Sequence, residues 1–157
     1  GGITLNGALD VSAKFNLQLL QGGAGAFTST GQTLTVGAKA LTINVGGAAS
    51  LGVIATAGST VQVTGSSVTL GGAVGSATDT TTLTSTAGSI TGAGAVTANN
   101  LTLSATGGNV GALTTLVGNN LSANATGSIN LSNTGNLASS TMSATSPSVE
   151  PYLDHPE

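Results

Sequence analysis

Few residues in this 157-residue chain have side chains suited to catalysis. Before the last dozen residues the only carboxylates are Asp10 and Asp79, and the single histidine, His155, lies between prolines near the C-terminus. There is no cysteine, so the chain cannot form a disulfide or a thiolate metal site. It also lacks a GxSxG nucleophile elbow and a phosphate-binding glycine loop. We therefore predict no enzymatic activity, no cofactor and no metal.

The composition is nearly free of charge and of aromatic rings. Charged residues make up 4% of the chain and aromatic residues 2%, whereas glycine occurs 25 times. The formal net charge of −3 comes from Glu150, Asp154 and Glu157. Lys14 and Lys39 are the only lysines, and there is no arginine. A basic footprint for nucleic acid is missing, so we expect no nucleic-acid partner. Polar residues interrupt every apolar stretch, so we also expect no membrane insertion.

Three consecutive segments, 82–98, 100–118 and 120–138, repeat one pattern of short apolar–polar alternations separated by Gly, Asn or Ser. Repeats of about 20 residues are typical of solenoids. Aligned by eye, the apolar positions form three predicted columns that repeat from segment to segment. These columns are Leu83, Leu101 and Leu121, then Ile90, Val110 and Ile129, then Val96, Leu116 and Leu137.

The alternation predicts an all-β fold, a single-stranded parallel β-helix (β-solenoid) with about 20 residues and three short strands per coil. Residues 1–142 would form about seven coils. Residues 143–157 contain all three prolines and would form an acidic tail that acts as a cap, a linker or an arm between subunits. At about 4.8 Å per coil, Asp10 and Asp79 would lie roughly 16 Å apart, too far for a glycosidase pair.

Two kinds of residue are expected at the corners of the coils. Asn100 and Asn120 occupy matching places in successive segments, so we predict that they stack as an asparagine ladder. Glycine doublets such as Gly22-Gly23 and Gly107-Gly108 are expected to supply positive φ angles there.

Segments 98–116 (ANNLTLSATGGNVGALTTL) and 118–137 (GNNLSANATGSINLSNTGNL) resemble repeats of the filamentous haemagglutinin family. These are the large exoproteins of bacterial two-partner secretion. The resemblance implies a right-handed β-helix that is secreted or held at the bacterial cell surface. It also implies a non-enzymatic role as an adhesin or stalk, with host or cell-surface glycans or proteins as partners.

Two alternatives remain open from the residues alone. The first coil is apolar at Ile3, Leu5, Phe15 and Leu17, and the tail is apolar at Val149, Tyr152 and Leu153. The first alternative is therefore a filament subunit that stacks head to tail, with the tail contacting a neighbouring copy. The second is an ice- or glycan-binding module. Thr33-Leu34-Thr35 and Thr82-Leu83-Thr84 suggest such a face, although the pattern is not expected to persist in every coil.

Overall fold

The computed structural model describes residues 1–145 and is all-β, with no helix in that range. Strands stack in parallel about 20 residues apart and form a β-solenoid of about 7 turns, which confirms the predicted fold class. In chain order the strands are β1 (Ile3–Thr4), β2 (Leu9–Asp10), β3 (Leu17–Gln21), β4 (Phe27–Thr28), β5 (Thr33–Gly37), β6 (Leu41–Val45), β7 (Ala49–Leu51), β8 (Val53–Thr56), β9 (Thr60–Gly65), β10 (Val68–Leu70), β11 (Thr80–Ser85), β12 (Ile90–Gly92), β13 (Val96–Ala105), β14 (Val110–Ala125), β15 (Ile129–Asn133) and β16 (Ser139–Ala144).

Each coil crosses three faces of the solenoid. The first face contains β1, β4, β7, β10 and β12, followed by the beginnings of β14 and β15. The second face begins with β2, β5 and β8 and continues through single bridges at Val74 into β13. The third face contains β3, β6, β9 and β11, the ends of β13 and β14, and β16.

Strands become longer toward the C-terminal coils because the corners lose their turns. β13 runs continuously from the second face to the third, and β14 passes through all three faces. Near one of these corners the backbone N–H groups of Asn99 and Asn100 both donate to the carbonyl oxygen of Asp79. The register between β13 and β14 shifts between Ala98 and Asn100. Between these two pairs β14 has one residue more than β13, and a bulge rather than a separate turn accommodates it.

The interior is filled by aliphatic side chains that stack in columns. The strand period of two places alternate residues inside, so Leu41, Ile43 and Val45 of β6 are all buried. Phe27 is the buried aromatic ring of the described range, and its neighbour one coil on is the small residue Ala49. A large side chain next to a small one keeps the narrow interior close-packed.

Glycine doublets at the corners serve close packing more than unusual backbone conformation. In the four doublets that follow the first strands, 22–23, 46–47, 71–72 and 107–108, only Gly23 has a positive φ, at 77°. A Cβ atom at Gly46 would lie 1.7 Å from the carbonyl oxygen of Gly23, and one at Gly107 would lie 2.3 Å from that of Ala87. The predicted positive φ angles are therefore wrong for most of these glycines. At Gly46 and Gly107 the need for glycine comes instead from the neighbouring coil, which lies too close to leave room for a side chain.

Candidate functional site

The predicted column of Ile90, Val110 and Ile129 is confirmed by the strand register. It belongs to the first face and extends toward the N-terminus through every coil. Its complete membership is Ile3, Phe27, Ala49, Val68, Ile90, Val110 and Ile129. One uninterrupted column over seven coils shows that the N-terminal part of the chain, where the repeat is hard to see, follows the same coil path.

The predicted column of Leu83, Leu101 and Leu121 is wrong at Leu83. Leu101 pairs with Leu121 as expected, but the partner of Leu101 in the preceding coil is Thr81, and Leu83 pairs with Leu103. A shift of two residues keeps every side chain on the same face of a strand, so alternation alone cannot exclude it. Matching leucine to leucine was misleading because a threonine occupies this interior position.

The predicted column of Val96, Leu116 and Leu137 is also wrong. Val96 pairs with Thr115, whereas Leu116 points outward and is 45% exposed. Thr115 pairs with Asn133, and Leu137 is only partly buried at the edge of the core. The physical reason is a polar contact between successive coils, where the hydroxyl of Thr115 donates to Oδ1 of Asn133 at 2.9 Å.

The amide of Asn133 replaces backbone pairing at the end of the second face. Its Oδ1 accepts a hydrogen bond from the backbone N–H of Val117 at 2.8 Å, and its Nδ2 donates to the carbonyl oxygen of Val117 at 3.3 Å. Nδ2 also donates to the carbonyl oxygen of Gly135 at 3.1 Å. The side chain thus satisfies both polar backbone groups of Val117, as a neighbouring strand would.

Asn100 and Asn120 are register partners, as the asparagine ladder requires. The side-chain hydrogen bond, however, runs from Nδ2 of Asn119 to Oδ1 of Asn100 at 2.7 Å. Oδ1 of Asn120 accepts instead from the hydroxyl of Ser139 in the next coil, at 3.0 Å. The predicted stacking register is therefore present, but the two side chains are not hydrogen-bonded to each other in the described residues; two separate contacts connect the three coils.

Asp79 is fully buried and was not predicted to have a structural role. Its Oδ1 accepts hydrogen bonds from the backbone N–H groups of Gly58 at 3.1 Å and Ser59 at 2.8 Å, and from the Ser76 hydroxyl at 2.7 Å. Its Oδ2 accepts from the Ser76 N–H at 2.9 Å and from the Thr56 hydroxyl. Donors from two coils thus surround one carboxylate. The available signal was an isolated acidic residue within an otherwise uncharged repeat.

Asp10, in contrast, is the exposed last residue of the short strand β2 in the first coil. Its Oδ1 accepts hydrogen bonds from the hydroxyl of Ser12 at 2.6 Å and from the Ser12 N–H at 2.9 Å. These two bonds lower the pKa of the Asp10 carboxyl below its usual value. Each of these two carboxylates is thus bound by donors from its own surroundings, Asp10 on the surface and Asp79 in the interior. Within residues 1–145 no group of three or more His, Cys, Asp or Glu is placed to hold a metal ion.

The residues predicted to mediate self-assembly differ in exposure. Ile3, Leu5 and Leu17 are half-buried against the core at the first coil, whereas Phe15 is 55% exposed. Val149, Tyr152 and Leu153 lie outside the described residues. At the other end, β16 pairs with β14 alone among the described strands, and every one of its residues is exposed. In the described part of the chain, no helix has the length and hydrophobicity that a membrane crossing needs.

The outer surface of the third face carries a regular pattern of polar side chains, of which the sequence indicated only Thr82 and Thr84. Five consecutive strands, β9, β11, the end of β13, the end of β14 and β16, each contribute three outward residues in register. We call this set the polar array. It comprises Thr60, Gln62, Thr64, Thr80, Thr82, Thr84, Asn100, Thr102, Ser104, Asn120, Ser122, Asn124, Ser139, Thr141 and Ser143.

Comparisons of the chain with protein-family models, with curated proteins and with solved structures found no match.

Proposed function

We propose that this chain is a non-enzymatic rod that serves as a stalk or adhesin segment of a secreted or surface-held bacterial exoprotein. The observation that supports the rod most directly is the first-face column from Ile3 to Ile129, which continues through every coil. Backbone hydrogen bonds in a β-solenoid run along the axis, so such a column resists bending and extension. Seven coils at about 4.8 Å each correspond to a rod roughly 34 Å long.

The positions of the charged groups support a structural role over a catalytic one. Asp79 is enclosed by five hydrogen-bond donors and has no path to a substrate, and Asp10 is held by Ser12 on the exposed surface. A surface depression of about 600 Å³ beside the first coil is lined mainly by glycine and alanine residues. Acid–base catalysis needs titratable side chains at such a site.

Secretion and adhesion are inferred from the resemblance of the repeats to filamentous haemagglutinins and from the neutral surface. A surface without strong charge avoids nonspecific attraction to nucleic acid or acidic lipid, which suits a protein exposed to many partners. On this proposal the outward faces contact glycans or proteins of a host or neighbouring cell. The stack of coils acts as a spacer that holds these faces away from the bacterial surface.

Two independent measurements test the rod and the adhesive role. Small-angle scattering of the full chain gives the length of the rod, and beads coated with the chain are counted on epithelial cell layers after washing. We expect a short cylinder with an axis roughly 34 Å long, and bead retention above that of uncoated beads. Retention equal to that of uncoated beads would contradict the adhesive role, and a compact spherical particle would contradict the rod.

A filament subunit is a second candidate, favoured by the half-buried Ile3, Leu5 and Leu17 at the first coil and the exposed edge of β16 at the last. Stacking of the last coil of one copy on the first coil of the next would repeat the parallel pairing found inside the solenoid. Negative-stain imaging of the full chain beside a version ending at Thr145 tests this candidate. Fibres from the full chain alone would show that residues 146–157 join the copies, and separate short rods in both samples would contradict the filament.

A further inference from the structure

The polar array is a repeating and uncharged surface. Its rows are the stacked strands, about 4.8 Å apart, and its columns are alternate residues along each strand, about 6.7 Å apart. Every member is Thr, Ser, Asn or Gln, and every one is exposed or half-exposed. The array thus presents hydroxyl and amide groups at regular intervals in two directions.

Hydroxyl groups in the middle of the array are free to bind an external partner. Within residues 1–145, those of Thr82, Thr102 and Ser122 make no hydrogen bond to protein atoms. The threonines that follow the array in sequence behave differently. Thr106 donates to the carbonyl oxygen of Thr86 at 3.1 Å, and Thr145 donates to that of Thr126 at 3.1 Å. The solenoid therefore uses these neighbouring hydroxyls internally, as it does the hydroxyl of Ser139 at the edge of the array, and leaves those of the central Thr82, Thr102 and Ser122 for solvent.

Water molecules bound to the array would be ordered at the spacing of the protein. Each hydroxyl accepts and donates hydrogen bonds to water, and the methyl group of threonine beside it limits the orientations that water adopts. Such water molecules would be spaced at the two repeat distances of the array. They could therefore fit onto a solid surface whose own groups repeat over similar distances. They would not match a flexible or irregular partner.

The chemistry of the array distinguishes between partners that repeat. The absence of charge from all array positions favours a neutral partner, which excludes ionic minerals. The array also has no aromatic ring, so it offers no apolar platform for sugar rings of a crystalline polysaccharide. Ice is a neutral, periodic surface composed entirely of hydrogen-bonding groups.

We propose that the polar array is an ice-binding surface, with Thr82, Thr102 and Ser122 in its central column. This inference does not depend on the stalk or adhesin role, because it concerns one face of the rod and would hold for a free rod as well. The first face provides a natural control. Its outward column of Thr4, Thr28, Ser50, Thr69 and Thr91 is only one residue wide, since the strands there are short.

The test is ice-affinity partition, in which a cold surface slowly freezes part of a dilute solution of the full chain and protein is measured in ice and liquid. We expect the chain to concentrate in the ice, T102Y to lose this enrichment and T69Y to keep it. T82V with T102V, which retains the shape but not the hydroxyls, should lose part of it. Circular dichroism of each variant confirms that the solenoid is folded.

Three outcomes would overturn the proposal. The first is exclusion of the unmodified chain from ice. The second is equal loss of enrichment in T102Y and T69Y, since this would place the effect outside the array. The third is retention on microcrystalline cellulose or chitin, abolished by T102Y, without partition into ice, which would assign the array to a polysaccharide.

Discussion

Oδ1 of Asp79 accepts a hydrogen bond of 2.8 Å from the backbone N–H of Ser59 in the preceding coil. The same carboxylate binds Ser76 in its own coil, so one side chain fixes two coils at the corner between the second and third faces. The carbonyl oxygen of Asp79 also accepts from Asn99 and Asn100 of the following coil. Asp79 therefore connects three successive coils at the point where the separate corner turns end and β13 becomes continuous.

Replacement of Asp79 by alanine should strongly destabilise the solenoid. The N–H groups of Gly58, Ser59 and Ser76 would lose their acceptor in a buried place, so we expect the free energy of unfolding to fall by about 3 kcal/mol or more. Asp79→Asn retains one acceptor oxygen and should cost less. Urea denaturation followed by circular dichroism measures both changes, with Asp10→Ala as the exposed control. Equal midpoints for Asp79→Ala and the unmodified chain would contradict the role of Asp79.

The solenoid was predictable because its period-two alternation, its glycines and its repeat length all indicate the same architecture. Register was less predictable. Alternation assigns Leu83 and Leu101 to the inside, but it does not say which coil position each occupies, and a slip of two residues leaves the pattern unchanged. Only the length of each corner decides the register, and corner length depends on contacts such as those of Asp79.

Interior polar residues were the other source of error. Thr81 and Thr115 are buried, yet their residue type indicates an outward position. The hydroxyl of Thr115 is hydrogen-bonded to Asn133, a contact that cannot be recognised before the fold is known. The polar array was predicted only at Thr82 and Thr84, for a related reason. Its members are ordinary strand residues in sequence, and their regularity emerges only after the coils are stacked in the correct register.

Thr81 offers a direct test of the corrected register. It lies between Val61 and Leu101 in an interior column, and its Oγ1 atom is buried without a hydrogen-bond partner among the described residues. Thr81→Val keeps the shape and removes the unpaired hydroxyl, so we expect stabilisation by about 1 kcal/mol. Thr82→Val, on the outward side of the same strand, should change the urea midpoint little. A loss of stability in Thr81→Val alone would contradict the assigned position.

Asn133 should control local opening of the last coils. Asn133→Ala removes the amide that binds the N–H and carbonyl oxygen of Val117, and we expect a cost of about 1 to 2 kcal/mol. The loss should appear mainly as faster hydrogen exchange of the Val117 N–H, measured by NMR, because coils of a solenoid open from the ends. Amide protons of Leu41 and Ile43, far from this end, provide the internal reference. Unchanged exchange at Val117 would show that the amide contact does not protect this backbone group.

Ser12 should set the acidity of Asp10. Ser12→Ala removes the hydroxyl bond, the larger of the two influences that lower the pKa, so the pKa of Asp10 should rise toward its usual value. A lowered pKa in the folded state stabilises the fold above the pKa of the unfolded chain, and this contribution is lost as the pH falls through the folded-state pKa. Ser12→Ala should therefore show a weaker loss of stability on acidification than the unmodified chain. Ser12→Thr, which retains a hydroxyl, is the matched control. The measurement is an NMR titration of the Asp10 carboxyl carbon, and an identical pKa in Ser12→Ala and the unmodified chain would assign the acidity to another group.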